Sequence, residues 1–67
     1  MYKIVELPLT EEKGLFGTAP KQNTGIPVWE ILEIETINKD TTLVETSNYI
    51  YEIDLPISEV IKRINSL

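Results

Sequence analysis

The side chains best suited to chemistry are two carboxylates, Glu33 and Glu35, two positions apart in a run of strand-forming residues. On a strand they share a face about 7 Å apart, compatible with a glycosidase-like carboxylate pair or a hard-metal site. The chain has no cysteine and no histidine. The Ser–His and Cys–His pairs that activate nucleophiles therefore cannot form, and thiolate zinc and iron–sulfur sites are excluded. A solvated strand face carrying ordinary acids is the simpler reading of the two glutamates. No residue is assigned as catalytic, metal-ligating or cofactor-binding, and the chain is not expected to be an enzyme. Sixty-seven residues also wall off a pocket of several hundred Å3 only if subunits build it jointly.

A second group of residues is suited to binding. All three glycines (Gly14, Gly17 and Gly25), two of the four prolines (Pro20 and Pro27) and two of the six basic residues (Lys13 and Lys21) fall within residues 10–27. This composition predicts a long loop, and loops beyond about 12–15 residues in a compact domain are often functional. The candidate binding residues are Lys13, Leu15, Phe16, Lys21, Gln22 and Asn23. Glycine-flanked backbone N–H groups can cradle an anion while Lys13 and Lys21 supply charge. Phe16 can enter a partner's pocket, stack on a base, or simply fold back onto the core. The segment lacks the Gly-Lys-Thr ending of a phosphate loop.

The elements that must position these residues follow from apolar spacing. Residues 2–7 read as a strand with Tyr2 and Ile4 on one face and Val5 and Leu7 on the other, ended or edged by Pro8. Residues 28–37 have mixed faces as a strand and fit a helix about as well, with Ile31, Ile34 and Ile37 at a spacing of three; high β-branching and the preceding Pro27 favour a strand with a bulge. Asn38, Lys39 and Asp40 form a turn. Residues 41–46 and 49–55 form a hairpin joined by Ser47 and Asn48, with Tyr49, Tyr51, Ile53 and Leu55 facing the core. Pro56 suits the first position of a short helix. Ile57, Val60, Ile61, Ile64 and Leu67 make its apolar stripe, and Glu59, Lys62 and Arg63 suit the helix dipole. The expected architecture is α+β: one domain over 1–67, with a small antiparallel sheet of three or four strands and one C-terminal helix on one face. The other sheet face would keep apolar residues such as Val44 and Ile50, which a second subunit could cover. Tyr2, Trp29, Tyr49 and Tyr51 are expected in the core or at a subunit interface.

The second half resembles the small flagellar-operon proteins of the FlbD type. The resemblance rests on Ile34, Glu35, Thr36 and Ile37, then Asp40, Thr41, Thr42, Leu43 and Val44. It continues through Tyr51, Glu52 and Ile53 to Ser58, Glu59, Val60 and Ile61. It covers about half the chain, residues 31–64, and implies the fold and an adaptor-like role in a bacterial or phage setting. The chain departs from that pattern in its long 10–27 segment, in Ser47 and Asn48 at the hairpin, and in Pro56 at the helix start.

Charge narrows the partners. Eleven acidic residues against six basic ones leave a formal net charge of −5. That balance argues against direct nucleic-acid binding, which needs clustered Lys and Arg, and favours solubility or a basic protein partner. No stretch is apolar enough for a membrane helix, and the opening residues lack a signal peptide's basic and apolar regions. The expected location is the cytoplasm. A single core of this size is thin, and the absence of cysteine removes disulfides, so homo-oligomerisation is expected. The leading expectation is a protein-binding module. The alternative is an oligomeric phage-type counter-defence protein that sequesters a small anionic or nucleotide ligand.

Overall fold

The computed structural model describes residues 2–10, 13–14, 17–18 and 22–67. Strand β1 (Ile4–Pro8) pairs antiparallel with β4 (Asn23–Pro27), from Ile4 opposite Pro27 to Pro8 opposite Asn23. Strands β2 (Lys13–Gly14) and β3 (Gly17–Thr18) pair Lys13 with Thr18 and Gly14 with Gly17. Lys13 opposite Thr18 lies five residues beyond Pro8 opposite Asn23 along both strands, so the two ladders share one register. The segment 10–27, expected as a long loop, therefore carries strand at Lys13–Gly14, Gly17–Thr18 and Asn23–Pro27. Its Asn, Gly and Pro content is poor for a strand in isolation, and pairing with the apolar β1 overrides that local preference.

A 3-10 turn (Val28–Glu30) leads into β5 (Ile31–Asn38), which pairs with β6 (Thr41–Thr46), which in turn pairs with β7 (Ile50–Ile53). The expected bulge is present. Ile31 faces Thr46 but Glu33 already faces Glu45, so two residues of β5 oppose one of β6. The extra residue reverses the alternation. Ile31 and Ile34, of opposite parity, both pack against the core, which explains why neither face reads clean in the sequence. A second shift falls between Thr36 and Asn38. The expected turn follows, with Asn38 Oδ1 accepting the Asp40 N–H at 2.8 Å.

Helix α1 (Ile57–Asn65) lies against β1, β5 and β6. Pro56 stands just ahead of the first helical residue, and its carbonyl accepts the N–H groups of Glu59 and Val60. Of the apolar stripe, Val60 is fully buried and Ile64 packs on the core, while Ile61 and Leu67 remain exposed. The core is Val5, Leu7, Ile26, Val44, Ile53 and Val60. It is enclosed by the inner faces of the β1–β4 hairpin and the β5–β6–β7 sheet, with the helix across it. The two sheets meet at a short seam, where Leu9 bridges Ile53. There Asp54 donates its N–H to the Pro8 carbonyl at 2.9 Å, and Thr10 donates to the Glu52 carbonyl at 3.1 Å. The α+β class, with small antiparallel sheets and one C-terminal helix, is as expected.

Two facing assignments change. Val44 was expected on the uncovered sheet face, yet it is wholly buried. It lies opposite Tyr51, on the core side shared with Ile53, whereas Ile50 lies opposite Glu45 on the outer side and is well exposed. Tyr49, expected inward, is exposed at the strand's start, before the core begins.

Candidate functional site

The six residues singled out for binding do not form one described site. Gln22 and Asn23 are exposed, with Gln22 giving its carbonyl to the Leu9 N–H at 2.7 Å and Asn23 opening β4. Lys13 lies in β2. Leu15, Phe16 and Lys21 lie outside the described residues.

The outer face of the β5–β6–β7 sheet gathers more chemistry. Strand alternation places Glu33 beside Glu45 and Ile50 in one cross-strand row, and Glu35 beside Leu43 and Glu52 in the next. The pair anticipated as possible chemistry, Glu33 and Glu35, is thus half of a four-carboxylate surface with two aliphatic side chains between them. Among the described residues no Lys or Arg pairs with any of the four, the ion pair present being Glu59–Arg63 at 3.4 Å on the helix. Glu52 Oε2 accepts the Thr10 hydroxyl at 2.9 Å. The hydrogen bond with Glu35 raises the Glu33 pKa from its ordinary 4.5, and the charge of Glu35, slight desolvation and the charge of Glu45 add to this. Among the described residues no group of three or more acidic side chains is placed to hold a metal ion. The arrangement contains no nucleophile with a partnered base. Chemically, it can accept hydrogen bonds and positive charge.

The end of the molecule where β5 begins and β6 finishes is aromatic. Tyr2 and Trp29 meet edge to face, with ring centroids 5.0 Å apart and planes at 71°. Tyr49 and Tyr51 meet at 5.9 Å. Glu30 links the two neighbourhoods. Its Oε1 accepts Asn48 Nδ2 at 3.0 Å and Ser47 Oγ at 3.4 Å, and its carbonyl accepts the Ser47 N–H at 3.2 Å. Thr46 closes the same loop, its hydroxyl oxygen accepting the N–H groups of Asn48 and Tyr49. Tyr2 is 82% exposed and Trp29 52%, so neither belongs to this chain's own core. Alternation alone did not reveal this, because aromatic strand residues are core residues more often than not.

No candidate residue is carried over from another protein: comparison with family models, with curated proteins and with solved structures returns no match to this chain.

Proposed function

We propose that the protein is a small non-catalytic protein-binding module, an adaptor of bacterial or phage type that works in the cytoplasm. Its outer sheet face docks a basic, partly apolar surface of another protein. One observation carries the proposal. Glu33 and Glu45 stand directly opposite each other across two strands, flanked by Glu35 and Glu52, with Leu43 and Ile50 between. Like charges in direct cross-strand opposition weaken a sheet, and a lysine- or arginine-bearing partner relieves that repulsion as it binds. Rim carboxylates of this kind act chiefly on association rate and orientation, while the aliphatic pair supplies apolar contact. The absence of cysteine suits a reducing compartment, and among the described residues no helix is long and apolar enough to cross a membrane.

The test is amide chemical-shift mapping with a peptide of alternating arginine and isoleucine. Shifts should concentrate at Glu33, Glu35, Leu43, Glu45, Ile50 and Glu52, and should fade as salt rises. The combined variant E33Q/E35Q/E45Q should lose most of the response. Equal binding by that variant, or shifts centred elsewhere, would remove the sheet face as the docking surface.

A further inference from the structure

Resting on the docking reading above and deepening it, we propose that the basic partner enters as an extended strand. It pairs antiparallel with the open edge of β5 and sets its arginine or lysine side chains over Glu33 and Glu35. In the three-stranded sheet β6 is central. The far side of β7 is taken up at the seam, where Leu9 bridges Ile53 and backbone bonds join Pro8 to Asp54 and Thr10 to Glu52. Strand β5 forms the other edge, and among the described residues no backbone bond reaches Ile34 or Thr36 from outside the sheet.

The ladder fixes which groups face that edge. Successive residues of an antiparallel strand turn their N–H and C=O groups to alternate sides. Thr46 donates its N–H to the Tyr49 carbonyl at 2.8 Å, so Thr42, Val44 and Thr46 bond towards β7. Leu43 and Glu45 then bond towards β5, where they face Glu35 and Glu33. Both glutamates therefore commit their backbone groups to β6, and Ile34 and Thr36 turn theirs to the open side. The four residues from Glu33 to Thr36 lie between the two register shifts of β5, so this stretch of edge is regular. Edges of this kind take up extended peptides, with main-chain bonds supplying affinity and alternate side chains supplying specificity.

Charge selects the occupant. In the added pairing Ile34 and Thr36 hold the hydrogen-bonded positions, while Glu33 and Glu35 hold the others, where facing side chains come closer. Side chains arriving opposite Glu33 and Glu35 lie on the outer face. Glu33 already faces Glu45 on its other side, and among the described residues no Lys or Arg pairs with these acids. A second copy adding its own β5 edge would set glutamate against glutamate, which is how charged edge strands avoid self-pairing. A strand with arginine or lysine at every second position meets the opposite condition. Its intervening side chains point inward beside Ile34, which is half-buried against the core, and so are apolar.

The arginine–isoleucine peptide of the docking test, made in two N-methylated forms, separates an added strand from a basic surface laid flat on the sheet. In the proposed register the isoleucine N–H groups point to β5 and the arginine N–H groups to solvent. Methylating the isoleucine nitrogens should weaken binding about tenfold or more, because at least two backbone hydrogen bonds are lost. Methylating the arginine nitrogens should change it by less than about threefold. Saturating unmodified peptide should slow amide hydrogen exchange at Ile34 and Thr36 well beyond any change at Glu33 and Glu35, whose N–H groups are already bonded. Two methylated peptides that bind alike, with shifts still centred on the acidic face, overturn the added strand and leave the docking proposal standing. A stronger loss from the arginine-methylated form overturns the proposed pairing as well. Absence of any response to the unmodified peptide overturns both proposals.

Discussion

Thr42 tests whether a polar group holds the helix in place from inside the core. Its side chain is fully buried in the central strand, and its hydroxyl donates to the Leu55 carbonyl at 2.8 Å. Leu55 lies between β7 and α1, so this bond ties the crossing segment to the middle of the sheet. Thr42→Val keeps the shape and the β-branching but deletes the donor. A buried acceptor left without a partner costs about 1–3 kcal/mol. The Leu55 residue is only half-buried, which points to the lower part of that range, about 1–2 kcal/mol. Domains of this size have about 3–5 kcal/mol in all, so the variant should lose roughly a third of its stability. The melting temperature should then fall by about 4–16 °C. Thr42→Ser is the control: it keeps the hydroxyl and loses one methyl, worth about 1 kcal/mol with its small cavity. Urea unfolding followed by far-UV circular dichroism measures both, with the slope expected to stay constant. If Thr42→Val matches or exceeds the wild type, apolar burial outweighs the bond and the tie between sheet and helix is not what holds Leu55.

Two further outcomes follow from the same structure. Glu30→Ala removes the acceptor for Asn48 Nδ2 and Ser47 Oγ while sparing the backbone bond from Ser47 to its carbonyl. It should cost about 1 kcal/mol and speed amide hydrogen exchange at Asn48 and Tyr49, and unchanged exchange there would refute the clamp. Because its neighbours raise the Glu33 pKa above 4.5, the folded chain holds that proton more tightly than the unfolded one. Stability should therefore fall as pH rises through the window just above 4.5, and Glu33→Gln should flatten that slope in melts recorded across it; an identical slope in the variant would contradict the assignment.

Local pattern made much of the second half legible. The alternation in β7, the turn at Asn38 to Asp40 and the spacing of Val60 and Ile64 all describe surfaces set by neighbours close in sequence. The position of Val44 was also within reach. A two-residue loop at Ser47 and Asn48 puts Val44 opposite Tyr51, so the inward alternation of the second arm had only to be carried across the turn. The first half resisted for a different reason. Asn23, Gly25 and Pro27 have weak strand preference, and their strand exists because β1 offers Val5 and Leu7 to share with Ile26. The acidic face was half visible as Glu33 and Glu35. Its other half, Glu45 and Glu52, joins only once the bulge in β5 and the hairpin register are both known. The aromatic end needs three separate segments brought together, and no local periodicity records that.

The seam between the two sheets governs how the chain assembles. Thr10 and Glu52 are 42 residues apart, whereas the turn-linked strands β5, β6 and β7 pair through near neighbours. Those hairpins can close within microseconds, but a lone hairpin is marginal in water. Until residues 8–10 reach 52–54, Val5, Leu7 and Ile26 have no second sheet to exclude water against, whereas Val44 and Ile53 already have Val60 and Ile64 of the helix. The hairpin of β1 and β4 is not a folding unit in its own right and takes the rest of its core from the three-stranded sheet and the helix. The slow, entropy-limited closure of that distant contact completes the core for both at once, and the chain passes between coil and native state as a single cooperative whole.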